Sequence, residues 1–404
     1  MPDSIACKII SCEVPEQLQR FCISKNGRPP VNILAQQAQR PQKQWGEHVQ
    51  KITIHDVARE AGVSVSTVSR VINANDSVNE ELRERVTRTV ERLGYVPNAS
   101  ARSVRAGDSK LISVIIPTAR IAVFAEALQG IMCEAMKRDY RVNVYSSNGD
   151  ERQDLSCIES IASSGSSGLI YCPISQMSNN CLKKVQQRGI PVVIALRRNV
   201  VPGLPHVYMD DEMGGYRAAK YLLQQGRKRI AFFAGFWSAP CEGVTGVVEM
   251  LNSAHRGAYT TLERMAGYRR AMDEEGIPLD KELIAITGFD YKSGYRAMNS
   301  FLSTLTPFDA LICGNDLVAA GAMEALQEQN ISVPERISII GYDDSEVSRI
   351  AHPKLTSVSQ CAYDIGCQAV DTLLRVISGE TVTDSCLPTT LIIRASTAMK
   401  DEER

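Results

Sequence analysis

The 404-residue chain has 12 cysteines but no C-x-x-C pair, and its 5 histidines stand apart at positions 48, 55, 206, 255 and 352. Metal ligands must converge, so neither a zinc-finger spacing nor an H-E-x-x-H helix can be built locally, and no metal is expected. The cysteines read as reduced thiols used as small apolar residues. No stretch approaches the roughly 20 uninterrupted apolar residues that cross a bilayer, so no membrane partner is expected. The first 30 residues carry Asp3, Glu13, Glu16, Arg20, Lys25 and Arg28 without an apolar run. They lack the core of a secretory signal, which makes a cytoplasmic protein the expectation. Charge of one sign is also missing: 45 Lys and Arg face 46 Asp and Glu, a formal charge of -1, which excludes a polybasic or polyacidic chain. Phosphate motifs are absent too. There is no G-x-x-x-x-G-K-[ST], Gly243-Val-Thr-Gly246 lacks the full dinucleotide fingerprint, and Gly165-Ser-Ser-Gly168 precedes a strand instead of forming a nucleophile elbow. No cofactor is expected, and an enzyme is the disfavoured class.

What is present is a chain that is 44% apolar, long enough for two or three folded units with substantial cores. Residues 1–50 read as a poorly structured extension, with Gln36, Gln37, Gln39, Gln42, Gln44 and Gln50 among Pro29, Pro30 and Pro41. Two readings stay open for it: a real arm, or a start codon further down, at Val49. From 51 to 97 the pattern is helical. Ile54, Val57, Ala58 and Ala61 share one face, Gly62-Val-Ser64 breaks the helix, and Ser64 can cap a second helix through Val65, Val68, Val71 and Ile72. Two short helices joined by a glycine turn make a helix-turn-helix. A third helix is capped by Asn79, carries the stripe Leu82, Val86, Val90 and Leu93, and ends at Gly94. Its charges, Arg83, Arg85, Arg88 and Arg92 among Glu81, Glu84 and Glu91, read as a solvated face. Residues 98–109 form a short basic linker without a core of its own, suited to a helix that orders only on DNA.

After Lys110, β-branched runs alternate with amphipathic segments. Strands are expected at 111–116, 141–145, 168–171, 192–195, 229–234, 283–287, 311–313 and 337–340, with helices such as 124–138 and 215–225 between them. Apolar strands with helical crossovers indicate parallel sheets covered on both faces, and some nine strands fit two sheets better than one. Ligands of such folds bind at the carboxyl ends of the strands, which places a cleft between two lobes.

The helix-turn-helix offers Val65, Ser66, Ser69 and Arg70 near the exposed start of its second helix. Arg can grip guanine O6 and N7, while Ser64, Thr67, Ser69 and Asn73 suit phosphate oxygens. Residues 53–73, then Gly94-Tyr-Val-Pro-Asn98 and Ala101-Arg102, resemble the DNA-binding signature of the lactose/galactose repressor (LacI) family of bacterial regulators. The resemblance continues through Gly189-Ile-Pro-Val-Val193, Arg264-Met-Ala-Gly-Tyr268, Gly314-Asn-Asp-Leu-Val-Ala-Ala-Gly321, Ile339-Ile-Gly-Tyr-Asp-Asp344, Pro353-Lys-Leu-Thr356 and Gln360, so it covers about 52–397.

The resemblance implies an all-α helix-turn-helix domain at 51–97, a hinge helix at 98–109 and an α/β periplasmic-binding-protein-like domain of parallel sheets at 110–400. One lobe takes 111–209 and 361–390, the other 210–360 and 391–397. It implies a ligand-responsive, sequence-specific regulator, a repressor of carbohydrate catabolism genes, acting as a homodimer on double-stranded operator DNA. A sugar, sugar acid or phosphosugar between the lobes alters operator affinity. Carried over by position, Thr53, Ser64, Val65, Ser66, Thr67, Ser69, Arg70, Asn73, Tyr95, Asn98, Arg102 and Val104 fall at DNA-binding places. Val104 stands where leucine wedges enter the minor groove, and it inserts less surface. Arg120, Phe124, Arg197, Arg264, Phe289, Asn315, Asp343 and Gln360 fall at effector-binding places. Leu196 replaces a common Asp, and Arg120 and Arg198 add cations, which favours an anionic effector. Residues 236–261 form a connection about twenty residues longer than the family's, expected to be a loop rich in glycine and small side chains near the cleft or a dimer surface. A solute-binding protein of a transport system would share the two lobes, but it would have no use for the helix-turn-helix.

Overall fold

A computed structural model describes residues 52–72, 78–95, 109–174, 179–198, 201–237, 239, 241–253, 256–304 and 306–400. Asn73, Asn98, Arg102, Val104 and the 1–50 extension lie outside the described residues. The described residues fall into two compact units, one within 1–97 and one within 98–404.

In the first unit, α1 (Ile54–Ala61), α2 (Val65–Ile72) and α3 (Glu80–Leu93) enclose a small core of Val57, Ala58, Ala61, Val68 and Val86. Each helix starts or stops where its local chemistry requires. Thr53 and Asp56 form a capping box on α1, and Gly62 closes that helix at φ 63°, a left-handed conformation cheap only for glycine. Asn79 accepts the Glu81 N–H to start α3, and Gly94 at φ 62° ends it. The charged face of α3 pairs locally, through Arg83 with Glu80 and Arg88 with Glu84, and with α1 through Arg92 and Glu60.

The second unit has two sheets of six strands. In the first sheet, β1 (Leu111–Ile116), β2 (Arg141–Ser146), β3 (Gly168–Tyr171), β4 (Val192–Ala195), β5 (His206–Met209) and β11 (Ser385–Leu387) run parallel in the order β11-β5-β4-β3-β1-β2. In the second, β6 (Ile230–Gly235), β7 (Ile284–Thr287), β8 (Ala310–Cys313), β9 (Ser338–Asp343), β10 (Thr356–Ser359) and β12 (Thr390–Ile392) lie in the order β12-β10-β9-β8-β6-β7, with only β12 antiparallel. Helices α4 (Ala122–Lys137), α5 (Glu151–Ser163), α6 (Asn179–Gln187) and α13 (Ala362–Ile377) cover the first sheet. Helices α7 (Asp211–Gln224), α8 (Gly243–Met250), α9 (Thr260–Glu274), α10 (Tyr291–Ser303) and α11 (Asp316–Glu328) cover the second, and α12 (Glu346–Ile350) follows β9. Alternation along the central strands supplies both faces: Ile112, Val114 and Ile116 point to the core under α4 and α13, while Ile115 points to the core under α5 and α6.

The chain passes between the lobes after Met209, after Ser359 and after Leu387. Thr390 already pairs with Ser359 in the second sheet, so the last passage falls just before the expected limit at 390. The strands expected by sequence are present with ends shifted by a residue or a few. Strands β5, β10, β11 and β12 have no sequence counterpart, because at three or four residues without a sustained β-branched run they carry no period to detect. Within the long connection expected to be a loop, the structure instead places α8 and a short 3-10 turn at Arg256–Ala258. Val247 and Leu251 reach the core of the second lobe and make this segment helical.

Candidate functional site

At the start of α2, the Ser64 hydroxyl accepts the Thr67 N–H at 3.1 Å and lies 2.7 Å from the Ser66 hydroxyl and 2.8 Å from that of Thr67. The cap fixes the first turn, so that Ser66 and Arg70, one turn apart, are both exposed on one face. Val65 is half-buried against the small core, as is Tyr95, and Ser69 is half-buried on the same helix. Thr53 is engaged as the cap of α1, its hydroxyl donating to Asp56 at 2.6 Å. An exposed Arg on a rigid, capped helix next to small hydroxyl side chains is equipped for base edges and phosphates.

The second site is a cavity of about 430 Å³ between the lobes, at the carboxyl ends of the strands. The first lobe contributes Ile121, Val123, Phe124, Leu196, Arg197 and Met209. The second contributes Trp237, Thr260, Arg264, Phe289, Gly314, Asn315 and Asp343, with Gln360 at a crossover. Its polar floor is organised by Arg264. The guanidinium donates to Asp211 at 2.8 Å, to the Gly314 carbonyl at 2.8 Å and to the Gln360 side-chain oxygen at 2.9 Å, and it stacks 4.0 Å over the Tyr342 ring. Gln360 in turn donates to Asp343. One arginine therefore ties two of the lobe crossovers, at Asp211 and Gln360, to the floor of the cavity. Close helix packing holds it there: a Cβ on Gly215 would fall 2.0 Å from the Arg264 carbonyl, and one on Gly267 would fall 1.8 Å from that of Glu212.

Burial governs the charges. It pushes the Asp211 carboxyl up despite the adjacent Arg264. Asp343, held at φ 104°, is pushed well above the usual carboxylate range by burial and by Asp316 nearby. Burial brings the Arg197 guanidinium down to about 10. Arg197 donates to the Pro173 carbonyl at 2.6 Å within its own lobe and to the Thr260 hydroxyl at 3.2 Å across the cleft. Asn315 caps α11, accepting the Val318 N–H at 2.9 Å and donating to the Phe289 carbonyl at 2.9 Å. Its first task is thus to place the Phe289 wall.

Seven of the eight expected effector residues therefore meet in one cavity, and Arg120 does not. Arg120 sits exposed on the bend before α4, its backbone N–H held by Thr118, and the apolar Ile121, Val123 and Phe124 turn inward in its place. A charged head without a buried partner stays in water. Arg198 also leaves the cavity. It pairs with the buried Glu263 of α9 beside a neighbouring space of about 410 Å³, and Arg256 of the long connection binds the same Glu263 at 2.8 Å. With Arg120 outside and Arg198 neutralised, the cation surplus that favoured an anionic effector is not assembled. Sequence reasoning missed Trp237, Thr260, Ile121, Val123 and Met209. A lone tryptophan in a long connection carries no period that could have singled it out.

Among the described residues, no group of three or more His, Cys, Asp or Glu could hold a metal ion, and no helix is long and apolar enough to cross a membrane. Aromatic walls over a fixed polar floor suit a small ring with an apolar face and polar edges.

Residues 53–98 match the family model for bacterial regulatory proteins of the lacI family. Residues 109–395 match that for periplasmic binding proteins and the sugar binding domain of the LacI family. The chain is 33% identical over 350 residues to catabolite control protein A of Priestia megaterium, covering 86% of this chain and 99% of that protein. Its structure is similar to the lac repressor dimer bound to operator and the anti-inducer ONPF, with a TM-score of 0.71 and 25% identity over 86% of this chain and 100% of that one. It is similar also to the transcriptional regulator CelR in complex with cellobiose, with a TM-score of 0.63 and 27% identity over 85% and 99%. With a helix-turn-helix and a two-lobed sugar-binding domain matched in that order over most of its length, the chain belongs to the LacI family of bacterial transcriptional regulators.

Proposed function

We propose that this chain is a cytoplasmic, homodimeric repressor of carbohydrate catabolism genes whose operator affinity is set by a small hydroxyl-bearing ring, a neutral sugar before a sugar acid or phosphosugar. The observation that carries the reading is the Arg264 network, which makes the floor of an aromatic-walled cavity continuous with two lobe crossovers. A ligand on that floor binds one arrangement of the lobes more tightly than another, which is the physical requirement for a switch. Arg70, Ser66 and Val65 would read bases, Ser64, Thr67, Ser69 and Asn73 would contact phosphates, and Arg102 and Val104 would belong to the hinge. A homodimer follows from the match of two-fold proteins to two-fold operators. The complex of CelR with cellobiose supports a neutral sugar as the ligand class.

The test is operator binding by fluorescence anisotropy at fixed salt, with neutral sugars, sugar acids and phosphosugars added in turn, alongside calorimetry of the same ligands. A neutral sugar should bind and change operator affinity some 5- to 150-fold, a coupling of about 1–3 kcal/mol. Binding by acids alone would reverse the ligand class. Ligand binding without any change in operator affinity would remove the regulatory role and favour a solute-binding protein.

A further inference from the structure

Trp237 follows β6 in the second lobe, yet its side chain packs against the hydrophobic core of the first. The other partly buried side chains on that core come from the first lobe itself. The indole ring lies 6.4 Å from Phe124 of α4, at 49°, and 5.8 Å from Phe289 of its own lobe, also at 49°. It rests on Gly149 in the turn after β2, where a Cβ would come 2.9 Å from the indole Cε3 and 3.3 Å from Cζ3. Three aromatic rings thus run from one lobe to the other along one wall of the cavity, and the middle one, half-buried, belongs to the long connection at 236–261.

We propose that Trp237 is the specificity-determining residue of the cleft: it selects a ligand with one flat apolar ring face and converts that stacking contact into lobe closure. This rests on the reading of the cleft as an effector site. The Phe124 and Gly149 contacts join the two lobes, so a ring that stacks on the indole while it is held against them adds more to the closed arrangement than to an open one. Tilted aromatic pairs at these distances are favourable beyond their buried area. The indole has a flat apolar face, and so do the C–H side of a pyranose and a planar heterocycle. A furanose such as ribose offers a smaller and more puckered one.

The chain has two tryptophans, and the other, Trp45, lies outside the described residues. In a Trp45→Phe background the emission therefore reports Trp237 alone. Ligand-free, that emission should be blue relative to indole in water and shielded from iodide. Gly149→Asn, chosen because Asn tolerates the left-handed φ of 72° at this position, should shift the emission red and expose the ring. No response to Gly149→Asn overturns the proposal whatever the ligands do. The probes are D-glucose, cellobiose, cytidine and D-ribose, each titrated by calorimetry and by emission. A pyranose or heterocycle that binds should change the emission, lose about tenfold or more in affinity with Trp237→Ala and under threefold with Trp237→Phe. Cellobiose and cytidine separate the two sources of a flat face. A probe that binds, shifts operator affinity and yet is indifferent to Trp237→Ala sinks this inference and leaves the effector reading intact. Ribose binding as tightly as the pyranoses removes the selectivity. If no probe binds the wild-type chain, the effector reading fails for these classes and this inference fails with it.

Discussion

Arg264→Ala is the most informative single substitution in the two-lobed unit. Arg264 is 5% exposed and Asp211 is 6% exposed, so the change leaves a buried carboxylate without its hydrogen-bonded partner, with only the more distant Arg197 and Arg198 to offset its charge. Breaking a buried ion pair by removing one partner costs about 3–5 kcal/mol. For a domain of this size each kcal/mol lowers Tm by roughly 2–4 °C, so the drop at pH 7 should be about 6–20 °C. Asp211 is already pushed up by burial with Arg264 in place, and without Arg264 it should rise further. A buried acid with a raised folded-state pKa costs stability only where it is ionised. The penalty is therefore full above that pKa and fades as pH falls toward the unfolded value. Urea unfolding of wild type and variant should differ by the full amount at pH 7 and by clearly less at pH 5. Arg264→Met with Asp211→Asn should recover roughly half or more of the loss, because no unpaired charge remains. A loss under about 1 kcal/mol at pH 7, or a loss equal at both pH values and unrelieved by the double substitution, would refute the reasoning.

Arg70→Ala should cost about 1–3 kcal/mol on the cognate operator and relax preference at one base pair; an equal loss on scrambled DNA removes its base-reading role. Ser64→Ala deletes the cap of α2 and should lower the stability of the helix-turn-helix by about 1 kcal/mol, seen as faster amide exchange over 65–72 while the exchange of α9 is unchanged. Asp316 accepts from the Ser357 hydroxyl at 2.6 Å and from the Ser345 N–H and hydroxyl at 2.8 Å each, and burial pushes its carboxyl from 3.8 up to about 6. Its contribution to stability is greatest at low pH and falls as pH rises from about 4 to 6. Relative to Asp316→Asn, the wild type should therefore lose stability across that window, and parallel pH profiles would contradict it.

The helix-turn-helix was legible almost residue by residue, because its signals are local. Apolar spacing of 3.6, the Ser64 and Asn79 caps and the left-handed glycines at 62 and 94 each act within a few positions. The central strands of both sheets were legible as apolar runs for the same reason. The four short strands at the crossovers were not, since their pairing is fixed by partners as distant as β10 and β12. In the cleft, position within the family's motifs singled out seven residues that the fold brings to one cavity. Position alone could not say that Asn315 is spent on capping α11 or that Arg264 is engaged by three protein acceptors.

The near balance of 45 basic and 46 acidic residues conceals a modest asymmetry, with 16 and 12 in residues 1–110 against 29 and 34 thereafter. The sequence by itself determined the order of the parts: a helix-turn-helix, a basic linker, then alternating strands and helices. Local spacing, capping and hydrophobic period are encoded within a few residues of where they act. Only the tertiary structure decided which charges face the cavity. Arg120 and Arg197 are both arginines in loops after strands, yet one remains hydrated on a bend while the other is buried between Pro173 and Thr260. It also decided that Trp237, carried by one lobe, packs on the core of the other. Such contacts join residues far apart in the chain, and their energies depend on burial and geometry that exist only once the lobes are folded together.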